Sequence, residues 1–185
     1  MTKNVEDIEV PTLEEMKEMI SSIPDEHLRD KAILSTLYIT GARVCEIVKR
    51  LRLKDISVKE HKGRKYISFY LFTAKRQRRV KQIYRNIPVS YDKYKVFVDP
   101  LIDYIRQIKP RDDDYVFDIT TRTVLNITHK WLDFHTHFIR HVRISHLVQH
   151  HNFNDQELTK WTGWSNSNPA ATYSHLDERV FFEKL

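Results

Sequence analysis

The feature that most constrains this chain is a pair of short alternating segments on either side of a dense run of positive charge. Residues 65–72 place apolar side chains at every second position, and residues 83–89 alternate through Ile83, Ile87 and Val89. A two-residue period is typical of a β-strand with one buried face. Five of the seven residues from 75 to 81 are Lys or Arg. The sequence therefore predicts an antiparallel hairpin with a strongly basic tip.

Most of the remaining sequence has helical spacing, with apolar residues recurring every three or four positions. The predicted helices cover residues 13–22, 25–40, a short stretch that ends at Arg50, 92–108, 120–134, 137–151, 155–162 and 169–183. We expect a mostly α domain with one small antiparallel β-sheet, an α+β fold. Only three glycines occur and no linker-like segment interrupts the chain, so residues 1–185 are expected to form one domain, with 1–10 as a linker or disordered start.

Charge is distributed unevenly along the chain. Residues 1–30 hold nine acids and three bases, a net charge of −6. Since the whole chain has a net charge of +6, residues 31–185 carry +12. Such a basic body favours a polyanionic partner, nucleic acid first and an anionic membrane surface second, although a well-solvated surface would look similar. No apolar run approaches the roughly 18 residues that a membrane span needs. A single cysteine and an acidic start without an apolar signal segment indicate an intracellular protein.

Residues 40–47 (TGARVCEI) place a glycine at the end of one helix and Arg43 at the start of the next. The N–H groups of a helix start favour a nearby anion, and an arginine offers two parallel donors to phosphate oxygens. Glu46 lies three residues on, where it can hold Arg43 in place. Alone, the segment is more commonly explained by a helix stop followed by a surface Arg–Glu pair.

Residues 137–141 (HFIRH) fall in a predicted helix, where the i, i+3 spacing puts His137 and Arg140 on one face. A titratable imidazole and a fixed positive charge could there contact the same phosphate. The i, i+4 pair His137 and His141 also raises the possibility of a metal site. No Glu follows the first His as in H-E-x-x-H, and no Cys cluster accompanies the pair, so we expect no metal.

Residues 162–175 (TGWSNSNPAATYSH) indicate a polar loop and then a new helix with a proline in its first turn. Tyr173 lies one turn into that helix. A tyrosine in such a place is usually a packing residue with a satisfied hydroxyl, and nothing local indicates otherwise.

Together these segments resemble the tyrosine recombinases, the phage integrase class of site-specific DNA recombinases. That family has T-G-x-R-x-x-E-x, a basic β-hairpin with a lysine, H-x-x-R-H, then G-H or G-W, and a tyrosine ten residues beyond that glycine. All five appear here in order, over about residues 11–176. The resemblance implies the catalytic-domain fold of the family and DNA cleavage without metal or any other cofactor.

The resemblance also implies a role for each matching residue. Arg43 and Arg140 would clamp the scissile phosphate, and Tyr173 would attack the phosphorus and become joined to the 3′ phosphate. His137 would assist as proton acceptor or hydrogen-bond donor. Trp164 stands where many members have His, and its indole N–H can donate to phosphate oxygen but cannot shuttle a proton.

Lys75 would protonate the departing 5′ oxygen, with Lys81 as the alternative. The other tip residues would contact the DNA backbone: Arg76, Arg78, Arg79 and Lys81. Glu46 would support Arg43 as a neighbour of the catalytic set. The resemblance gives His141 and His175 less diagnostic positions, and we interpret both as structural.

The implied partner is double-stranded DNA, bound by a tetramer on paired sites. A monomer is the alternative for the isolated domain. The implied role is integration or excision of a mobile element or virus. Two alternatives remain open: a type IB topoisomerase and an inactive DNA-binding module. The family's N-terminal DNA-binding domain has no counterpart in residues 1–185. The apolar tail at 177–185 is predicted to form a helix that either folds back on its own domain or contacts a neighbouring subunit.

Overall fold

A computed structural model of the protein describes residues 9–74, 84–166 and 168–174. The strands are β1 (Ile56–His61), β2 (Arg64–Phe72) and β3 (Tyr84–Ser90). The helices are α1 (Leu13–Ser21), α2 (Leu28–Thr40), α3 (Val44–Ile47), α4 (Lys95–Ile108), α5 (Thr121–Leu132), α6 (Thr136–His151), α7 (Asp155–Thr162) and α8 (Asn168–Ser174). Single turns of 3₁₀ helix lie at Asp25–His27 and Leu53–Asp55. The expected α+β class is confirmed.

The sheet contains the predicted pair of strands. β2 and β3 are antiparallel, with a register that runs from Tyr66 opposite Ser90 to Phe72 opposite Tyr84. Their inward side chains are fully buried: Ile67, Phe69, Leu71, Ile87 and Val89. The buried face that the alternation in the sequence predicted is therefore confirmed. The predicted basic tip, with Lys75, Arg76, Arg78, Arg79 and Lys81, lies outside the described residues.

A third strand extends this sheet beyond the hairpin that the sequence predicted. β1 pairs antiparallel with β2, from Ile56 opposite Phe69 to His61 opposite Arg64. Every residue of β1 after Ile56 is exposed. An exposed edge strand needs no apolar alternation, so its sequence carries no two-residue period to detect.

The centre of the fold is α2, which is buried on all sides from Ala32 to Thr40. It packs against α4 and α6 as well as against the sheet. A helix that is covered all round has no polar face, which explains its even apolar composition. α2 ends at Gly41, whose left-handed conformation (φ +61°) turns the chain directly into the segment that carries Arg43.

The short third helix ends three residues earlier than the sequence predicted. It was expected to continue to Arg50, but α3 ends at Ile47. Val48 is extended, and Lys49 has a left-handed φ of 50°. The Lys49 N–H donates instead to the carbonyl of Phe117, 3.0 Å away, so a contact between distant parts of the chain ends the helix.

A buried histidine joins α6 to the start of α1. His146 is 1% exposed, and its Nε2 lies 2.8 Å from the carbonyl oxygen of Pro11. Because a carbonyl only accepts, Nε2 carries the proton, and Nδ1 accepts from the Tyr38 hydroxyl at 2.8 Å. Burial lowers the pKa of His146 from 6.5 to about 4. The ring is therefore neutral in the folded protein at neutral pH.

This burial predicts a loss of stability in acid. Between pH 6.5 and about 4 the unfolded chain binds a proton that folded His146 refuses, so the free energy of unfolding falls as the pH falls through that window. The expected loss is roughly 3 kcal/mol for this group. Urea unfolding at a series of pH values measures it.

The matched variants are His146→Gln and His61→Gln, the second on the exposed edge strand. We expect His146→Gln to flatten the pH dependence and His61→Gln to leave it parallel to wild type. An unchanged slope in His146→Gln would contradict the assignment.

Candidate active site

Two arginines, two histidines, a tryptophan and a tyrosine from the predicted motifs face one pocket. Its volume is about 250 Å³, and its lining residues are Arg43, His137, Arg140, His141, Ile144, Trp164, Pro169 and Tyr173. The pocket brings together the end of α2, the start of α6, the turn after α7 and α8. Five of the six predicted catalytic residues therefore meet here, and the sixth, Lys75, lies outside the described residues.

Two backbone carbonyl groups accept hydrogen bonds from the Arg140 guanidinium. Its Nη1 donates to the carbonyl of Gly41 at 2.6 Å, and its Nη2 to that of Thr162 at 3.1 Å. Burial and the neighbouring charge of Arg43 lower the pKa of Arg140 to about 10. The guanidinium thus stays charged at neutral pH. It is fixed between the turn at Gly41 and the turn at Gly163.

Arg43 precedes α3 and is fixed by Glu46, as the sequence predicted. Its backbone N–H donates to Glu46 Oε2 at 2.9 Å, and its Nη1 lies 3.1 Å from Glu46 Oε1. Glu46 is 1% exposed, and it also accepts from the Ala74 N–H at 2.9 Å and from Arg85 Nη2 at 2.7 Å. Burial opposes ionisation, but the charge of Arg85 and these hydrogen bonds outweigh it, and the pKa of Glu46 is lowered. The carboxylate is ionised.

The Tyr173 hydroxyl contacts a histidine that the sequence analysis interpreted as structural. His141 Nδ1 lies 3.1 Å from the Tyr173 oxygen. Burial lowers the pKa of His141, so its ring is neutral near pH 7 and has a lone pair for a proton. Burial raises the pKa of Tyr173, against the effect of Arg140. The pair thus consists of a protonated phenol beside a neutral imidazole.

Trp164 closes another side of the pocket. Its ring stacks on Tyr173, with centroids 5.9 Å apart and planes 25° apart, and the Arg140 guanidinium lies 6.0 Å from its centroid. His137 lines the same pocket. The sequence feature that places Trp164 is Gly163, which has φ +71° and lies so close to β2 that an added Cβ would be 2.6 Å from Thr73 Cγ2.

The pocket therefore contains at least one residue from each motif that the structure describes: Arg43, His137, Arg140, Trp164 and Tyr173. The sequence profile of the phage integrase family matches residues 9–179. The chain belongs to the phage integrase family.

Solved structures agree with this placement. The XerH recombinase bound to difH substrate, in a pre-cleavage complex, superposes with a TM-score of 0.69 at 16% identity, covering 96% of this chain and 54% of that one. The XerA recombinase gives 0.69 at 18%, covering 96% and 64%. The Tn1549 transposon integrase with transposon right end DNA gives 0.60 at 14%, covering 100% and 68%.

These structural similarities establish the integrase catalytic-domain fold. The chain spans little more than half the length of XerH and about two thirds of the other two proteins. No curated protein sequence matches this chain.

A larger groove adjoins α3 of this integrase domain. Its volume is about 790 Å³, and it combines cations with aromatic rings. The Arg50 guanidinium lies 4.5 Å from the Phe72 ring centroid, and that of Arg52 lies 5.3 Å from the Tyr115 centroid. Two exposed tyrosines on the outer face of the sheet, Tyr70 and Tyr84, stack 4.8 Å apart. The groove offers charge and flat rings beside the pocket.

The described residues hold neither a metal-binding cluster nor a membrane-spanning helix. Within 9–74, 84–166 and 168–174, no group of three or more His, Cys, Asp and Glu side chains is arranged to hold a metal ion. In the same ranges, no helix combines the length and the apolar character that crossing a bilayer requires.

The sequence analysis named His141 but interpreted it as structural, and it missed Arg85. His141 has the right neighbours in H-x-x-R-H, and its i, i+4 spacing from His137 was the available signal. Arg85 contacts Glu46 but lies 39 positions away in the sequence. Its signal was an arginine at an inward position of an alternating strand, between Ile83 and Ile87.

The close approach of Gly163 to β2 predicts a steric penalty. In Gly163→Ala the new Cβ would meet Thr73, whereas Gly63, with the same φ of +71°, has nothing within 4 Å of an added Cβ. We expect Gly63→Ala to cost about 1 kcal/mol of stability for the left-handed conformation alone. Gly163→Ala should cost roughly 1–3 kcal/mol more. Chemical unfolding of both variants measures the difference, and equal losses would contradict the contact.

Proposed function

We propose that this domain cleaves and rejoins DNA as a site-specific tyrosine recombinase, through a 3′-phosphotyrosyl intermediate and without metal, in the integration or excision of a mobile element or virus. The observation that carries the proposal is the convergence of a tyrosine hydroxyl with two fixed guanidinium groups in one pocket. The similar structures are named as XerH before and after cleavage of difH, Tn1549 integrase on transposon DNA, and FLP on a Holliday junction.

Arg43 and Arg140 bind the scissile phosphate in the proposed reaction. Both line the pocket, and each is anchored from behind, Arg43 by Glu46 and Arg140 by two carbonyl oxygens. Fixed donors of this kind stabilise the charge that develops on the non-bridging oxygens without reorganising in the transition state. His137 and the Trp164 indole N–H add donors at the edge of the same pocket.

Bond formation and proton transfer follow from the contact between Tyr173 and His141. The tyrosine oxygen forms a bond to phosphorus, and its proton moves to His141 Nδ1, 3.1 Å away. The bond from phosphorus to the 5′ oxygen breaks, and Lys75 donates a proton to that oxygen. Rejoining reverses both transfers, with the 5′ hydroxyl of another strand as nucleophile.

The proposed substrate is duplex DNA, which the basic groove beside the pocket suits. Arg50, Arg52 and the predicted tip cations Arg76, Arg78, Arg79 and Lys81 would contact phosphates, so binding should weaken steeply with salt. We further propose assembly as a tetramer on paired sites. The tail at 177–185, which would contact a neighbouring subunit, lies outside the described residues.

The first experiment tests whether Tyr173 is the nucleophile. The protein is incubated in EDTA with nicked suicide duplexes, both candidate attachment sites and a randomised pool, and a denaturing gel detects a protein–DNA adduct. We expect an adduct with the wild type and none with Tyr173→Phe, which keeps DNA binding because only the attacking oxygen is lost. Tyr91→Phe, at a tyrosine outside the pocket and the groove that donates to Asp99 on α4, is the matched control and should keep the adduct.

The outcomes separate the competing functions. DNA binding without any adduct across the whole pool would favour the inactive binding module. Relaxation of supercoils without paired sites would favour a type IB topoisomerase. An adduct that survives in Tyr173→Phe would show that another residue is the nucleophile.

The contact of His141 with the hydroxyl predicts a pH-dependent defect. His141→Ala removes the proton acceptor, and single-turnover cleavage should fall by about 100-fold or more. In the wild type, cleavage should decline only as the pH falls through the lowered pKa of His141, below the ordinary 6.5. Quenched time courses from pH 5 to 8 measure both effects, with His61→Ala as control; loss of the acid decline in His61→Ala instead would refute the assignment.

A further inference from the structure

A buried arginine outside every motif lies behind the pocket. Arg85 occupies an inward position of β3, in the alternation that buries Ile87 and Val89, and its side chain is only 6% exposed. A guanidinium in such a position is costly unless its donors are paired. An apolar residue would satisfy the strand pattern, so the presence of Arg85 requires an explanation in its partners.

Those partners come from three separate segments. Arg85 Nη2 donates to Glu46 Oε2 at 2.7 Å, and Nη1 to Thr73 Oγ1 at 3.0 Å and the Phe72 carbonyl at 3.3 Å. Its Nε donates to the carbonyl of Trp161 at 2.8 Å. One side chain thus connects α3, the end of β2 and the end of α7.

Glu46 connects Arg85 to the pocket, because it also binds Arg43. Its carboxylate accepts from Arg85 on one side, and from the Arg43 side chain and the Ala74 N–H on the other. Arg43 is one of the two phosphate-binding guanidinium groups of the proposed reaction. Ala74 immediately precedes Lys75, the proposed proton donor. The same carboxylate therefore fixes both the arginine and the point from which the chain continues to the lysine.

We propose that Arg85 is a positioning residue for cleavage: through the shared carboxylate of Glu46 it sets the Arg43 guanidinium and the start of the segment that carries Lys75. This inference rests on the proposed function. It goes beyond the motifs, because Arg85 is not among the residues that line the pocket and would act only through Glu46.

Removal of the Arg85 charge has a specific consequence. In Arg85→Met the carboxylate stays buried without its strongest partner, and burial then raises its pKa. Glu46 that takes up a proton loses acceptor strength toward Arg43 and Ala74. The acid decline of cleavage should therefore move to higher pH than in the wild type, and the activity should recover partly as the pH rises.

The role through Lys75 has a second signature. A suicide duplex with sulfur in place of the 5′ bridging oxygen releases a thiolate, which needs no proton donor. A defect in lysine positioning is masked on this substrate, whereas a defect in Arg43 or in folding is not. We expect Arg85→Met to lower cleavage of the oxygen substrate by roughly 10³-fold. On the sulfur substrate the loss should be at least about 10-fold smaller.

The experiment compares single-turnover adduct formation by wild type, Arg85→Met, Arg85→Lys and Arg85→Met/Glu46→Gln on both substrates from pH 5 to 9. Arg106→Met, which removes an exposed arginine paired with Asp103 on α4, is the matched control and should behave as wild type. Thermal melting checks the fold of each. Arg85→Lys keeps the charge near Glu46, so it should lose less activity and show no shift of the acid decline. The double variant removes the titrating carboxylate, so its acid decline should not shift either.

Each result has a definite meaning. An equal loss on both substrates, with an unshifted pH profile, would show that Arg85 only holds the fold together and would overturn the proposal, as would undiminished cleavage in Arg85→Met. If Arg85→Met does not fold, Arg85→Lys decides, because an intermediate loss that is smaller on the sulfur substrate supports the proposal and an equal loss overturns it. A wild type without adduct on either substrate would refute the proposed function itself, which is a distinct outcome.

Discussion

The buried carboxylate of Glu46 is the interaction on which the site depends. A buried ionised group is tolerated only when opposite charge and hydrogen bonds replace water. Glu46 meets that need with donors from the Arg43 backbone and side chain, the Ala74 N–H and Arg85. Loss of one partner of such a pair typically costs about 3–5 kcal/mol. The requirement for neutralisation therefore forces α3, β2 and β3 into one arrangement.

The end of α7 supplies a second set of constraints. Its last carbonyls have no partner within the helix, and Trp161 and Thr162 accept instead from Arg85 and Arg140. Cations are favoured at a helix C-terminus by the helix dipole. Three guanidinium groups then lie close together, and the charges of Arg43 and Arg85 both lower the pKa of Arg140. An anion in the pocket relieves this repulsion, and one with growing negative charge relieves it most.

The sequence predicted what depends on local pattern. The alternation of β2 and β3 predicted the hairpin, and the resemblance of the motifs to the tyrosine recombinases predicted Arg43, Arg140 and Tyr173, which the structure brings to one pocket. It missed β1 because an exposed edge strand leaves no periodic signal. It missed Arg85 because Glu46, the partner that explains a buried arginine, lies 39 positions away in the chain. No local spacing in the sequence indicates that two such distant residues are in contact.

The Tyr173 hydroxyl, the nucleophile of the proposed reaction, is protonated at neutral pH. Burial raises the pKa of Tyr173, and Nδ1 of the neutral His141 ring lies 3.1 Å from the hydroxyl oxygen. Arg140 opposes the burial effect, but its charge is shared with two carbonyls. A phosphate between the two arginines would present an electrophile to the oxygen and give the leaving proton its acceptor at 3.1 Å. In the proposed reaction, reactivity thus depends on the substrate and the anchored cations together, because neither the tyrosine nor the histidine alone is perturbed toward an ionised state.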